Sequence, residues 1–328
     1  MSNHDLQASA RIWTEYWRSG RQGCLTDEAP VSARNHIESL WRSWFRRRPS
    51  GTQILDLACG AGEVARIALS VASEGKLRFG IEGVDLAALE RSVERTAFEH
   101  GTTMRLQGGI DLARLPFPDR SFDCAASQFG IEYADVEAAC RELARVMKSE
   151  ACGLFLIHHR ESAISTAAAS RLEAFAAVIG DGVVLDRARQ VYEAISARSA
   201  ESLIASRLLE FRQDLRRIVK LHSSRFAWET NLREILGFLT DLARNPKLYD
   251  PLDALRRLSA AQERIAMWKL RQESQLAAAR DERGIKALSD RLDRVGLKSG
   301  EIGVVNDPAT GEPLAWRLAL AALQLSGQ

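Results

Sequence analysis

Residues 54–63 read ILDLACGAGE, and this stretch constrains the fold more than any other part of the chain. Apolar Ile54 and Leu55 run into an acid, Asp56. Leu57, Ala58 and Cys59 follow, then Gly60 and Gly62, and a helical pattern opens at Val64. A strand whose carboxyl end enters a glycine turn and then a helix is the repeating unit of parallel α/β sheets, and that turn is where such sheets take ligands. Glycine suits the turn because a Cβ would block close approach of a bound molecule and penalise positive φ. The string lacks the G-x-G-x-x-G spacing of a dinucleotide fingerprint. Asp56 points the same way, since a carboxylate aimed into the turn repels a pyrophosphate. It welcomes a ligand that carries an ammonium group.

A second acid follows one helix and one strand later. LRFGIEGVDLA (77–87) predicts a short strand ending at Asp85, with Leu86 beside it. An acid at that place can accept both hydroxyls of a ribose. The third element is GGIDLARLPFPDRSFDCAASQFGIEYA (108–134), in which Pro116 and Pro118 stiffen a loop by fixing φ and Phe122–Ser127 predicts a strand.

Together these strings resemble the class I S-adenosylmethionine-dependent methyltransferases of the "methyltransferase domain 11" type, over roughly residues 50–160. The resemblance implies a Rossmann-like sheet, mostly parallel with an antiparallel last strand, and S-adenosyl-L-methionine as cofactor. It also implies that Asp56, Ala58, Gly60 and Gly62 border the methionine end. Asp85 and Leu86 would hold the ribose, Asp111 the adenine amino group with Leu112 beside it, and Gln128 would lie near the sulfonium. Two departures stand out. Ala58 replaces the first glycine of the usual loop, and Ile110 replaces the glycine before Asp111.

Composition fits a soluble cytoplasmic protein. Net charge is +2 over 328 residues, too near neutral to call for nucleic acid as a partner. No apolar run approaches the ~18 residues of a membrane span. The five cysteines are odd in number and show no C-x-x-C spacing, which argues against a disulfide framework and against a zinc site. No metal is expected.

The order of elements past the glycine turn follows the α/β pattern. Helices are expected from Val64 to about Ala72, near residues 87–99, and from about Ala134 to Met147. Strands are expected at about Met104–Gly108 and at 152–159 (CGLFLIHH). Residues 161 to about 285 then become strongly helical: no proline occurs between Pro118 and Pro246, and Leu203, Leu208, Phe211, Leu215 and Ile218 recur at helical intervals. The family's ending appears only afterwards, as a helix over 287–297 and a strand pair at 301–307 and 312–323. The expected organisation is an N-terminal helical cap (1–50), a cofactor-binding core (51–160), an all-α insertion (161–285) and a closing segment (286–328) that completes the core sheet. A sequential second domain would leave the last strand pair without a sheet.

The cap holds Trp13, Tyr16, Trp17, Trp41, Trp44 and Phe45 at helical spacing. These side chains suit packing on the sheet. In the resembled family the equivalent helices cover the cofactor, so Tyr16 is a candidate cofactor contact. Arg46–Arg48 reads as a solvated helix end, where positive charge suits the dipole.

Methyl transfer is mostly positioning, and a base is needed only when the nucleophile must lose a proton. His158 and His159, at the end of the 152–159 strand, are the first candidates. Adjacent strand residues face opposite ways, so one of them at most faces the site. Tyr133 and Glu132 come next, and Arg160 could bind a substrate anion. His222 lies in the insertion and reads as a surface histidine.

The expected function is methyl transfer to an oxygen, nitrogen or carbon nucleophile of a small metabolite or natural product. The insertion would then serve as a roof over the pocket or as a docking surface through which copies associate. Two alternatives stay open: a macromolecular substrate (RNA, protein or a carrier-bound chain), and a non-catalytic cofactor-binding partner.

Overall fold

The computed structural model describes residues 3–18, 20, 23, 25, 30–89, 93–180 and 182–321. Two helices, α1 (Asn3–Arg18) and α2 (Val31–Arg46), precede an alternating run: β1 (Gln53–Leu57), α3 (Glu63–Gly75), β2 (Gly80–Val84), β3 (Val93–Ala97), β4 (Thr103–Gln107), β5 (Phe122–Gln128), α4 (Val136–Val146) and β6 (Met147–His158). Helices α5 (Ala163–Val178), α6 (Val183–Ser196), α7 (Glu201–Leu221), α8 (Thr230–Arg244) and α9 (Pro251–Ala278) follow. Then come α10 (Glu282–Arg294), β7 (Ser299–Asn306) and β8 (Pro313–Leu320).

The strands form one eight-stranded sheet in the order β3-β4-β2-β1-β5-β6-β8-β7. The five strands from β4 to β6 in that order are parallel neighbours. Both edges are antiparallel: β3 on β4, and β8 on β6 with β7 outside it. The late strand pair therefore joins the same sheet as Asp56, although residues 159–298 separate it from β6.

Strand alternation sorts side chains to two faces. From β1, Ile54 packs with Trp41 and Phe45 of α2 and with Val64 and Ala68 of α3. Leu55 and Leu57 point the other way, onto Leu143 of α4 and Leu288 and Leu292 of α10. Full burial of a side chain such as Phe45 contributes roughly 1.5–3 kcal/mol, so the two layers fix the sheet by ordinary hydrophobic burial.

One expected element is absent. The segment near residues 87–99 does not form a helix: residues 93–97 pair antiparallel with β4, Val93 opposite Leu106 and Ala97 opposite Thr103. Val93 and Thr96 are β-branched and favour extended backbone. Left-handed backbone at His100 (φ 57°) and Gly101 (φ 77°) makes the tight return into β4, so the hairpin closes locally.

Residues Ala167–Glu273 form a second compact unit. Its core joins Phe175, Val191, Tyr192, Phe211, Leu232 and Leu239, and the Tyr192 hydroxyl donates to the Leu242 carbonyl at 3.1 Å. Arg212 caps the end of α8 by donating twice to the Ala243 carbonyl. His222, expected at the surface, is buried here with Nε2 3.4 Å from the Glu229 carbonyl. Among the described residues no helix is long and apolar enough to cross a membrane.

The closing strand pair can be tested by deletion. A chain ended after residue 296 loses β7 and β8 and bares the backbone edge of β6, a ready template for association. Such a chain is expected to aggregate on expression. A monodisperse fragment by size-exclusion chromatography would contradict the role given to β8.

Candidate active site

The carboxyl ends of β1, β2, β5 and β6 bring most of the sequence-derived site residues to one edge of the sheet. At the β1 turn, Ala58 (φ 53°), Gly60 (φ 52°) and Gly62 (φ 84°) all adopt left-handed backbone. The usual glycine would take this conformation freely at position 58, so Ala58 holds a strained backbone that its surroundings must enforce. Its methyl packs where a Cβ on Gly130 would collide, so the β1 turn and the β5 turn interlock through one small side chain.

Asp85 ties the loop to β2. Its Oδ2 accepts the Gly60 N–H at 2.7 Å and its Oδ1 accepts the Ala87 N–H at 2.7 Å. The Ile110 N–H donates to the Asp85 carbonyl at 2.8 Å, which brings the Asp111 loop alongside. Asp111 Oδ1 accepts the Ala113 N–H at 2.9 Å, and Leu112 is buried against the far face of the sheet. Replacing glycine by Ile110 thus leaves the acid beside Asp85. Asp56 lies under α3, where its Oδ2 accepts the Ala65 N–H at 3.1 Å.

These acids are held out of water, with the Arg66 charge the one cationic influence on Asp56. Burial pushes the Asp56 carboxyl up to about 8, opposed by the Ala65 hydrogen bond and reinforced by the nearby charges of Asp85 and Glu63. Burial likewise raises Asp85 to about 6. S-adenosylmethionine offers an ammonium, a sulfonium, a carboxylate and a ribose diol. The residues present fit it on three counts. A cation relieves the buried acids, Asp85 keeps lone pairs beyond the two used by Gly60 and Ala87, and successive left-handed residues turn backbone N–H groups into an anion-binding concavity.

Gln128, expected near the sulfonium, is held by two side chains. Its Oε1 accepts the Trp41 indole N–H at 2.6 Å, and its amide donates to Glu63 Oε2 at 2.9 Å. Sequence reading missed Glu63 and Trp41 as its partners. A carboxylate in the first turn of α3 was the available signal. Helix α1 covers the loop. Tyr16 is buried between Trp13 and Trp17 in edge-to-face contacts of 5.6 and 4.8 Å, and it is Trp17 whose indole lies on Gly60, where a Cβ would strike it.

The two histidines part as strand alternation requires. His159 stacks on Trp316 of β8 at 4.5 Å, and its Nδ1 accepts the Glu161 N–H, away from the glycine loop. His158 stacks on Phe129 at 4.4 Å and meets Tyr133 edge-on at 5.8 Å, with Trp13 against the other side of Tyr133 at 5.0 Å. Burial depresses the His158 imidazole to about 3, so it is neutral at neutral pH. Arg160 is exposed and pairs with Asp281 at 3.2 Å.

Residues 55–155 match the family model described as "Methyltransferase domain". The chain is 34% identical over 117 residues to 2-phytyl-1,4-naphtoquinone methyltransferase of Nostoc punctiforme, covering 34% of this chain and 49% of that protein. It is also 34% identical over 122 residues to the ubiquinone/menaquinone biosynthesis C-methyltransferase UbiE of Xanthomonas campestris, covering 34% of this chain and 46% of that one. Residues 55–155 are a class I methyltransferase domain. The chain spans about half the length of the curated relatives it matches. Among solved structures, the 1,6-didemethyltoxoflavin-N1-methyltransferase of Burkholderia thailandensis is 15% identical with a TM-score of 0.36, over 48% of this chain and 65% of that one.

The raised acids of the methyltransferase domain give a pH signature. The folded Asp56 carboxyl titrates near 8 and an unfolded one near 3.8, so between those values the folded state binds more protons than the unfolded. Stability from this group is therefore lost as pH climbs from about 4 to about 8. Asp56→Asn removes the effect, so the variant's melting temperature should gain on the parent's steadily from pH 5 to pH 8 in the ligand-free protein. A constant gap in differential scanning fluorimetry would contradict the raised proton affinity of the buried Asp56 carboxyl.

Proposed function

We propose that the protein is an S-adenosylmethionine-dependent methyltransferase that methylates a small, flat metabolite at an oxygen, nitrogen or carbon atom. The observation that carries this reading is the methyltransferase domain with two buried acids, Asp56 and Asp85, focused on one glycine loop. In this reading Asp56, Gly60 and Gly62 hold the amino-acid end of the cofactor, Asp85 the ribose and Asp111 the adenine. When bound, the cofactor supplies an activated methyl group. The chain supplies orientation and a site screened from water by Trp13, Tyr16 and Trp17 of α1.

A flat acceptor is supported from two sides. The names of the two curated relatives place them on quinone compounds, and Phe129, Tyr133 and Trp13 present aromatic surfaces beside His158. Tyr133 and His158 belong to the acceptor side of the site, with His158 serving as a neutral hydrogen-bonding group because its burial makes it a weak base.

Calorimetric titration with S-adenosylmethionine should show binding, and Asp85→Ala should weaken it by about 10- to 100-fold, the usual worth of hydrogen bonds to a charged group. Equal affinity in parent and variant would remove Asp85 from the cofactor site. Tight binding of NAD with no response to S-adenosylmethionine would overturn the function.

A further inference from the structure

Two buried polar atoms beside the methyltransferase site have no hydrogen-bond partner among the described residues: Glu132 Oε2 and His158 Nδ1. They belong to residues already tied together. Glu132 Oε1 accepts the backbone N–H of His158 at 2.9 Å, which fixes the carboxyl group at the end of β6. The Arg280 guanidinium donates to the Glu132 carbonyl at 3.1 Å, and the Arg280 N–H donates to the His158 carbonyl at 2.8 Å, so the pair is clamped from a third segment. A buried polar atom left unpaired is costly, and two of them on one clamped pair point to a ligand group that completes both.

We propose that Glu132 and His158 form the acceptor-binding pair, in which Glu132 Oε2 and His158 Nδ1 share the hydroxyl of a phenol-type substrate and Glu132 takes its proton. The proposal rests on the methyltransferase reading and deepens it by naming the substrate's reacting group. His158 is neutral, so in the tautomer with the proton on Nδ1 it donates to the phenol oxygen, while the carboxylate oxygen of Glu132 accepts the phenol O–H. The group between them must then be both acceptor and donor, as a hydroxyl is.

The proton step balances within the pair and the substrate. The phenol O–H bond breaks, its electron pair stays on oxygen, and the proton forms a new O–H bond at Glu132 Oε2. The resulting phenolate is nucleophilic at oxygen and at the adjacent ring carbons. Burial raises the Glu132 carboxyl to about 7, opposed by its hydrogen bond to the His158 N–H and by the Arg280 charge. A phenol is far more acidic than an aliphatic alcohol, so a carboxylate whose proton affinity is raised in this way can take a phenol's proton more readily than that of an unactivated hydroxyl. That difference selects a phenol over an aliphatic alcohol. The neighbouring rings of Phe129 and Tyr133 suit a flat ring for the same reason.

The test uses 1-naphthol and its methyl ether, 1-methoxynaphthalene, titrated into the full chain with excess S-adenosylhomocysteine present so that no turnover occurs. The parent should bind 1-naphthol at least about 10-fold more tightly than the ether, as expected for a hydrogen bond to a charged group. Glu132→Gln, which keeps the size of the side chain, should bring the two affinities within about 3-fold while leaving S-adenosylhomocysteine affinity at the parent's value. His158→Asn should reduce the preference as well. Equal binding of the two probes by the parent, or binding of neither, overturns the pair whatever the variants do. A naphthol preference that survives in Glu132→Gln also overturns it. Failure to bind S-adenosylhomocysteine at all would instead overturn the underlying methyltransferase reading.

Discussion

The site depends on one hydrogen bond between a buried carboxylate and a glycine. Asp85 Oδ2 receives the Gly60 N–H, and through it the end of β2 fixes the turn that follows β1. The same residue draws the Asp111 loop in by its carbonyl, so three segments far apart in sequence meet on one side chain and its backbone. A neutral residue at position 85 could not hold the turn in this way and also offer lone pairs to a diol. The acid therefore serves the apo fold and the ligand together, at the cost of a carboxylate kept out of water.

That cost explains the neighbourhood. Asp85 lies close enough to Asp56 to raise its proton affinity, and burial keeps solvent from screening either acid. Left-handed backbone at Ala58, Gly60 and Gly62 adds strain in the same few residues. Local strain and buried acids gathered in one turn are features that cooperative packing elsewhere must support. The two hydrophobic layers do so, with Trp41 and Phe45 on one face and Leu143 and Leu288 on the other. Trp41 also reaches the site directly by donating to Gln128.

Much of this was legible in the sequence because the signals were local. An apolar run, an acid and a glycine turn sit within ten residues, and the strand after residue 300 keeps a short alternating pattern bounded by turn residues. The separation of His158 from His159 followed from period two alone. The hairpin at 93–101 was misread as a helix because its decisive features are a left-handed His100 and an open edge on β4, neither of which a periodicity shows. Gln128 was expected near the sulfonium, yet its bonds to Trp41 and Glu63 depend on α2 docking over the sheet, a tertiary fact. Glu132 was readable as a candidate base after the two histidines, with nothing in the sequence to put it first. Its importance comes from the one oxygen that bonds His158 and the one that bonds nothing among the described residues.

The central claim is that a glycine loop loaded with buried acids is built to receive a cationic ligand. Its most direct test is calorimetry of S-adenosylmethionine binding at pH 7 in two buffers that differ in ionisation enthalpy. Asp56, raised to about 8 in the ligand-free protein, is protonated at that pH and should lose its proton when a cation arrives beside it. The account predicts a release of up to one proton per molecule bound, falling toward zero in Asp56→Asn. Binding heats that are identical in the two buffers for the parent protein would contradict it.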